Sequence, residues 1–250
     1  MKIWIKFAAP IIILSCALAA TAVLKQGSSP EKKNLVPAAT LSQEAILGKL
    51  EKVSGKMRGK NGQFYFSGRM VMIDAIEGQS NVPFIFCSDG SSYYYCIGQT
   101  IFLNIDGAFV QVDRKAKKVF VSQVSEGYRP DLMDVSNIRK AIESKEYAFS
   151  AWEQGSRETI KLLNEDHLNC KEYTITYDTV GYNITRFYSR FADQDALPGD
   201  KNDKIIDITI SEWKEVKAIQ PFLSGIKKSY KEGNLSVIDK DIAHFQVINL

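Results

Sequence analysis

Only two histidines, His167 and His244, occur in 250 residues, and the chemistry that depends on histidine is correspondingly narrow. No G-x-S-x-G elbow, H-E-x-x-H helix, Walker loop, G-x-G-x-x-G fingerprint or C-x-x-C pair is present, although the chain is long enough to hold any of them. Cysteine is scarce too. Cys16 lies in the hydrophobic N-terminal stretch, which leaves Cys87, Cys96 and Cys170, an odd number and no disulfide framework. Excess charge is also missing. The formal charge is +3, and setting aside Lys2 and Lys6 of the leader leaves +1. Nucleic-acid binding needs a concentrated basic stripe, and the lysines here are scattered among acids. No cofactor or metal is expected, and the chain reads as a non-enzymatic protein.

What the sequence does have is apolar side chains, 45% of the whole, and many aromatics. The first 25 residues open with Lys2 and Lys6 and run uncharged from Phe7 to Leu24, about 27 Å as a helix. That length suits a signal peptide or an N-terminal membrane anchor, and the small residues Ala17, Ala19, Ala20 and Ala22 leave cleavage open. Either way positive charge stays inside, which places the remainder outside the cytoplasm, in a bacterial periplasm or cell envelope, with residues 7–24 as the candidate tether. Residues 26–40, rich in Ser, Pro and Lys, read as a linker. Residues 41–250 read as one domain.

Within it, Val82 to Ser122 reads as short strands separated by turn punctuation. Pairing outward from Asp106-Gly107 sets Ile105 against Ala108, Leu103 against Val110 and Ile101 against Val112, giving one aliphatic face. Pairing from Asp89-Gly90 sets Phe86 against Tyr93 and Phe84 against Tyr95, leaving Cys87 and Cys96 about 13 Å apart along the strands. A bridge between them needs a longer loop, and buried free thiols fit better. A first long strand runs from Gln63 to Asp74, with a bend or bulge expected at Gly68. Helical spacing is expected from about Leu41 to Gly55, from Pro130 to Lys145 and from Pro221 to Tyr230. Further strands are expected at 147–149, 158–163, 171–177, 181–190 and 204–210.

Because both faces of this sheet carry apolar groups, something must cover each one. The candidate lining of an apolar cavity is Phe64, Phe66, Met70, Met72, Phe84, Phe86, Tyr93, Tyr95 and Phe102. Such side chains offer broad contact without polar specificity, as an acyl chain requires, and the competing reading is a packed core. Glu165, Asp166, His167 and Cys170 have the residue types for a hydrolase or metal site, but three contiguous residues in a polar connection cannot all point at one place; a solvated turn explains them better.

Export leader, early helix, the strand FYFSGRMVMID, repeated D-G turns and a helical interruption between two runs of strands resemble the bacterial LolA/LolB-like lipoprotein carriers. The resemblance spans roughly Leu41 to Ile210. It implies an α+β fold, a strongly curved antiparallel sheet forming a half-barrel covered by about three helices, whose concave side receives a lipid or the acyl chains of a lipoprotein. The family's carriers hold their helical lid with an arginine, and Arg69 is the only candidate for that place. The alternative is an envelope structural or protein-interaction module that docks a protein partner and has no ligand cavity.

Overall fold

A computed structural model describes residues 43–58, 63–74, 78–90, 92–105, 108–123, 135–193, 203–214, 230–231, 234–235 and 244–249. The leader, the linker and the helix expected at 221–229 lie outside the described residues, and none of the described helices is long and apolar enough to cross a membrane. The chain folds as two compact units, 1–54 with 74–77 and 130–206, and 55–73 with 78–129 and 207–250.

The first unit carries most of helix α1 (Gln43–Arg58), helix α2 (Val135–Glu143) and four strands, β7 (Ala148–Gln154), β8 (Arg157–Leu163), β9 (Cys170–Asp178) and β10 (Ile184–Phe191). In α1 the apolar stripe Ile46, Leu47, Leu50, Val53 is buried, each residue 2% exposed or less. At about 1.5–3 kcal/mol per fully buried side chain, that stripe rather than intrinsic propensity holds the helix. The four strands form an antiparallel meander in the order β10-β9-β8-β7. Alternate residues Ile160, Leu162, Tyr173, Ile175, Tyr177 and Phe187 are buried, while Thr159, Lys161, Thr174 and Thr176 between them are partly exposed, the pattern of a sheet with one dry and one wet face. Arg139 of α2 pairs with Glu51 of α1 at 2.7 Å.

The second unit contains β1 (Gln63–Asp74), β2 (Gly78–Asp89), β3 (Tyr93–Ile97), β4 (Thr100–Ile105), β5 (Ala108–Asp113), β6 (Lys118–Gln123), most of β11 (Lys204–Lys214), a short ladder of β12 (Tyr230–Lys231) with β13 (Asn234–Leu235), and β14 (Gln246–Asn249). Its sheet runs β14-β6-β5-β4-β3-β2-β1-β11 and does not close on itself. The expected pairings Ile105↔Ala108, Leu103↔Val110 and Ile101↔Val112 are present. The sheet is not wholly antiparallel, however: β14 lies parallel to β6, Gln246 opposite Lys118. Nor are three helices seen; the described residues contain two.

The register at Asp89-Gly90 also differs from expectation by two residues. Phe86 pairs with Tyr95 and Ser88 with Tyr93, because the turn extends to Ser92, whose carbonyl accepts the Asp89 N–H at 3.2 Å and whose own N–H binds Asp89 Oδ1 at 2.8 Å. Gly68 marks a close approach of two backbones. A Cβ there would coincide with the Thr209 carbonyl oxygen of β11, so only glycine lets the two backbones meet.

Candidate functional site

One face of the second unit is paved with rings. Going across the sheet from β11 to β5, Trp213 meets Phe66 at 4.9 Å between centroids, Phe66 meets Phe86 at 5.3 Å, Phe86 meets Tyr95 at 4.8 Å, Tyr95 meets Phe102 at 5.7 Å and Phe102 meets Phe109 at 6.1 Å. Each of these six strands contributes one ring. Phe64 and Phe84 flank the row, at 5.1 Å from Phe86 and 6.0 Å from Phe66. The spacing follows from the pleat: Phe86, Tyr95 and Phe102 are direct cross-strand partners, so neighbouring strands bring their rings together. Each such contact adds about 0.5–1.5 kcal/mol beyond area burial.

The row joins Phe64, Phe66, Phe84, Phe86, Tyr95 and Phe102 of the expected lining. Register puts Tyr93 on the same face beside Asn104, while Met70 is buried and Met72 half-buried on β1. The other polar groups sharing that face where β2 to β5 pair are Ser88, Thr100, Gln111 and Asp113, and of these Asp113 alone is charged. Trp213 lies beyond the strand expected at 204–210, because β11 continues to Lys214. The opposite face has its own filling: Cys87, Tyr94, Ile101, Leu103, Val110, Val112, Val119 and Val121 pack together with Tyr65, and Phe245 joins from the segment before β14.

A second notable group lies in the first unit. Glu158 on β8 is 1% exposed, and Lys49 of α1 reaches both its oxygens at 2.8 Å while the Tyr177 hydroxyl of β9 donates to Oε2 at 2.5 Å. Burial and then the Glu158 carboxylate push the Tyr177 hydroxyl above the ordinary phenol range, so the proton stays on the tyrosine. The network pins the helix to the sheet at one point.

The other candidates resolve into structural roles. His167 is buried rather than solvated: Nδ1 accepts the N–H groups of Asn169 at 3.1 Å and Cys170 at 3.0 Å, Nε2 lies 3.3 Å from Glu146, and the Tyr147 ring lies tilted against it at 5.2 Å between centroids. Both nitrogens are thus engaged in holding a turn. Burial pushes the Cys170 thiol up to about 12, and burial with Asp89 does the same to Cys87, so neither is a thiolate nucleophile near neutrality. Cys87 faces Tyr94 and Cys96 faces Ile85, diagonal positions about 7–8 Å apart, and all three described cysteines are free. Among the described residues Arg69 holds no helix. Its exposed guanidinium bonds Asn81 on the neighbouring strand, Nε to Oδ1 at 2.9 Å.

Glu165 belongs to a charge network. Arg190 binds Glu165 at 2.6 Å and Asp203 at 2.7 Å, and Lys171 binds Asp203 at 2.7 Å. The hydrogen bond from Arg190 holds the Glu165 carboxyl below its usual range. Burial raises the Asp203 carboxyl, but hydrogen bonds from Lys171 and Arg190 outweigh it and leave it low as well. A carboxyl whose folded value is depressed contributes stability that is complete above the unfolded carboxylate range and is lost as pH falls through the folded value. Urea midpoints of the wild type should therefore drop more steeply between roughly pH 5 and pH 2 than those of Arg190→Gln. Parallel curves would show that the network contributes nothing in solution.

No family model and no curated protein matches the chain. Among solved structures, an uncharacterized conserved protein from Thermus thermophilus is similar at 9% identity and a TM-score of 0.45, covering 82% of this chain and 99% of that one. The lipoprotein LppX of Mycobacterium tuberculosis is similar at 10% identity and 0.38, with coverages of 70% and 100%. A LolA superfamily protein from Nitrosomonas europaea follows at 9% and 0.28, with coverages of 67% and 92%. At such identities the likeness extends no further than the path of the chain.

Proposed function

We propose that this is a non-enzymatic envelope protein that binds a lipid, or the acyl chains of a lipoprotein, against the ring face of its second unit. The observation that carries the reading is the unbroken row of aromatic contacts across six strands, on a face distinct from the one that holds the aliphatic core. A row of π-faces gives a long apolar ligand contact along its length and asks for no fixed hydrogen bond, which is how an acyl chain is recognised. The polar groups at its margin where β2 to β5 pair are Ser88, Thr100, Asn104, Gln111 and Asp113, so a head that offers hydrogen-bond donors finds partners there.

Delipidated protein should take up a fluorescent long-chain fatty acid or an acylated peptide at one site per chain, with energy transfer from tryptophan to the probe. No signal at saturating probe, together with no lipid in an organic extract of freshly purified protein, would remove the reading.

A further inference from the structure

We propose that β7 is the seam of a two-fold dimer, in which two copies of this chain join their β7 strands antiparallel with Ser150 on the axis. β7 is the end strand of its meander among the described residues, and it is a well-formed one, paired with β8 from Ala148↔Leu163 to Gln154↔Arg157 without a register shift. Exposed edges are normally blunted by proline, lysine, a bulge or extreme shortness. β7 has seven residues and none of these devices; its one charge is Glu153. Two of the large hydrophobics that remain exposed are found here, Phe149 at 38% and Trp152 at 41%, and three residues apart on a strand they point to opposite faces. A ligand lying on one face would cover only one of them, whereas a strand added along the edge flanks both.

The sequence of β7 fits a second copy of itself. With the axis at Ser150, Trp152 falls opposite Ala148 and Phe149 opposite Ala151, so each ring on either face lies over a methyl group. An axis at Ala151 would instead set Phe149 against the Glu153 carboxylate. The result is one continuous sheet of two meanders with an isologous join.

In the full chain, Ser150→Cys places two thiols across the axis with Cα atoms about 4.5–5.5 Å apart, within disulfide reach. Gln154→Cys places them about 26 Å apart. Mild oxidation in membranes from expressing cells should give a covalent dimer for Ser150→Cys and not for Gln154→Cys or the wild type. The purified wild type should sediment as a dimer at ~100 µM and dissociate on dilution, and Phe149→Lys/Trp152→Lys should sediment as a monomer with an unchanged far-ultraviolet spectrum. A wild type that is monomeric throughout, a double variant that still dimerises, or equal cross-linking at positions 150 and 154 would overturn the proposal.

Discussion

Lys49→Met should lower the unfolding free energy by about 3–5 kcal/mol, the usual cost of leaving one partner of a buried ion pair alone. Glu158 has no route to water, being 1% exposed, and Lys49 supplies the positive charge against both of its oxygens. Tyr177 gives it one hydrogen bond, which does not replace a cation. For a chain of this size the loss corresponds to a fall of roughly 10 °C in Tm. Removing all three polar groups together, in Lys49→Met/Glu158→Leu/Tyr177→Phe, should recover most of it, because a dry apolar cluster of similar volume is often as stable as the ion pair it replaces. Chemical denaturation of the single and triple variants measures both. A single variant within about 0.5 kcal/mol of wild type would show that Glu158 is not held in this way.

The second large effect is expected at the centre of the ring row. Phe86 is 2% exposed and touches Phe64, Phe66 and Tyr95 at 5.1, 5.3 and 4.8 Å, so Phe86→Ala opens a hole that its rigid neighbours cannot collapse into. The cost should be about 3–5 kcal/mol. Ligand response separates core from wall. If the rings form the wall of a lipid site, excess long-chain fatty acid raises the Tm of the wild type by mass action and raises that of Phe86→Ala by less. Equal shifts, or none in either protein, would leave the row a packed interior.

Much of this arrangement is readable from local pattern, and the failures have identifiable causes. The hairpin closing at Ile105 and Ala108 was legible because strict alternation on both sides fixes a single register. The neighbouring hairpin slipped by two residues because two serines follow Asp89-Gly90, and the carboxylate of Asp89 binds the second of them. Such a slip of two keeps every side chain on its face, so Phe84, Phe86, Tyr95 and Phe102 share one face under either register. Glu158 is only half legible in the local pattern. It stands in phase with Ile160 and Leu162, at a position alternation marks as inward, and a carboxylate there requires a cation. Lys49, three residues after Ile46 on the buried stripe of α1, was the cation to seek, but only tertiary structure joins residues 109 apart.

Gly68 bears on how the chain finds its fold. β1 and β11 meet from segments far apart in sequence; the Ser211 hydroxyl reaches the Ser67 carbonyl across 144 residues, and Ser67 in turn reaches Glu212. Closing so long a loop is slow, and a slow search invites wrong alignments. Sliding one strand past the other by two residues would bring a side-chain-bearing residue to the place where the Thr209 carbonyl now fills the space left by a missing Cβ. The glycine thus works as a keyway: the two strands can lock at one setting, and misaligned encounters are rejected before the rest of the sheet forms around them.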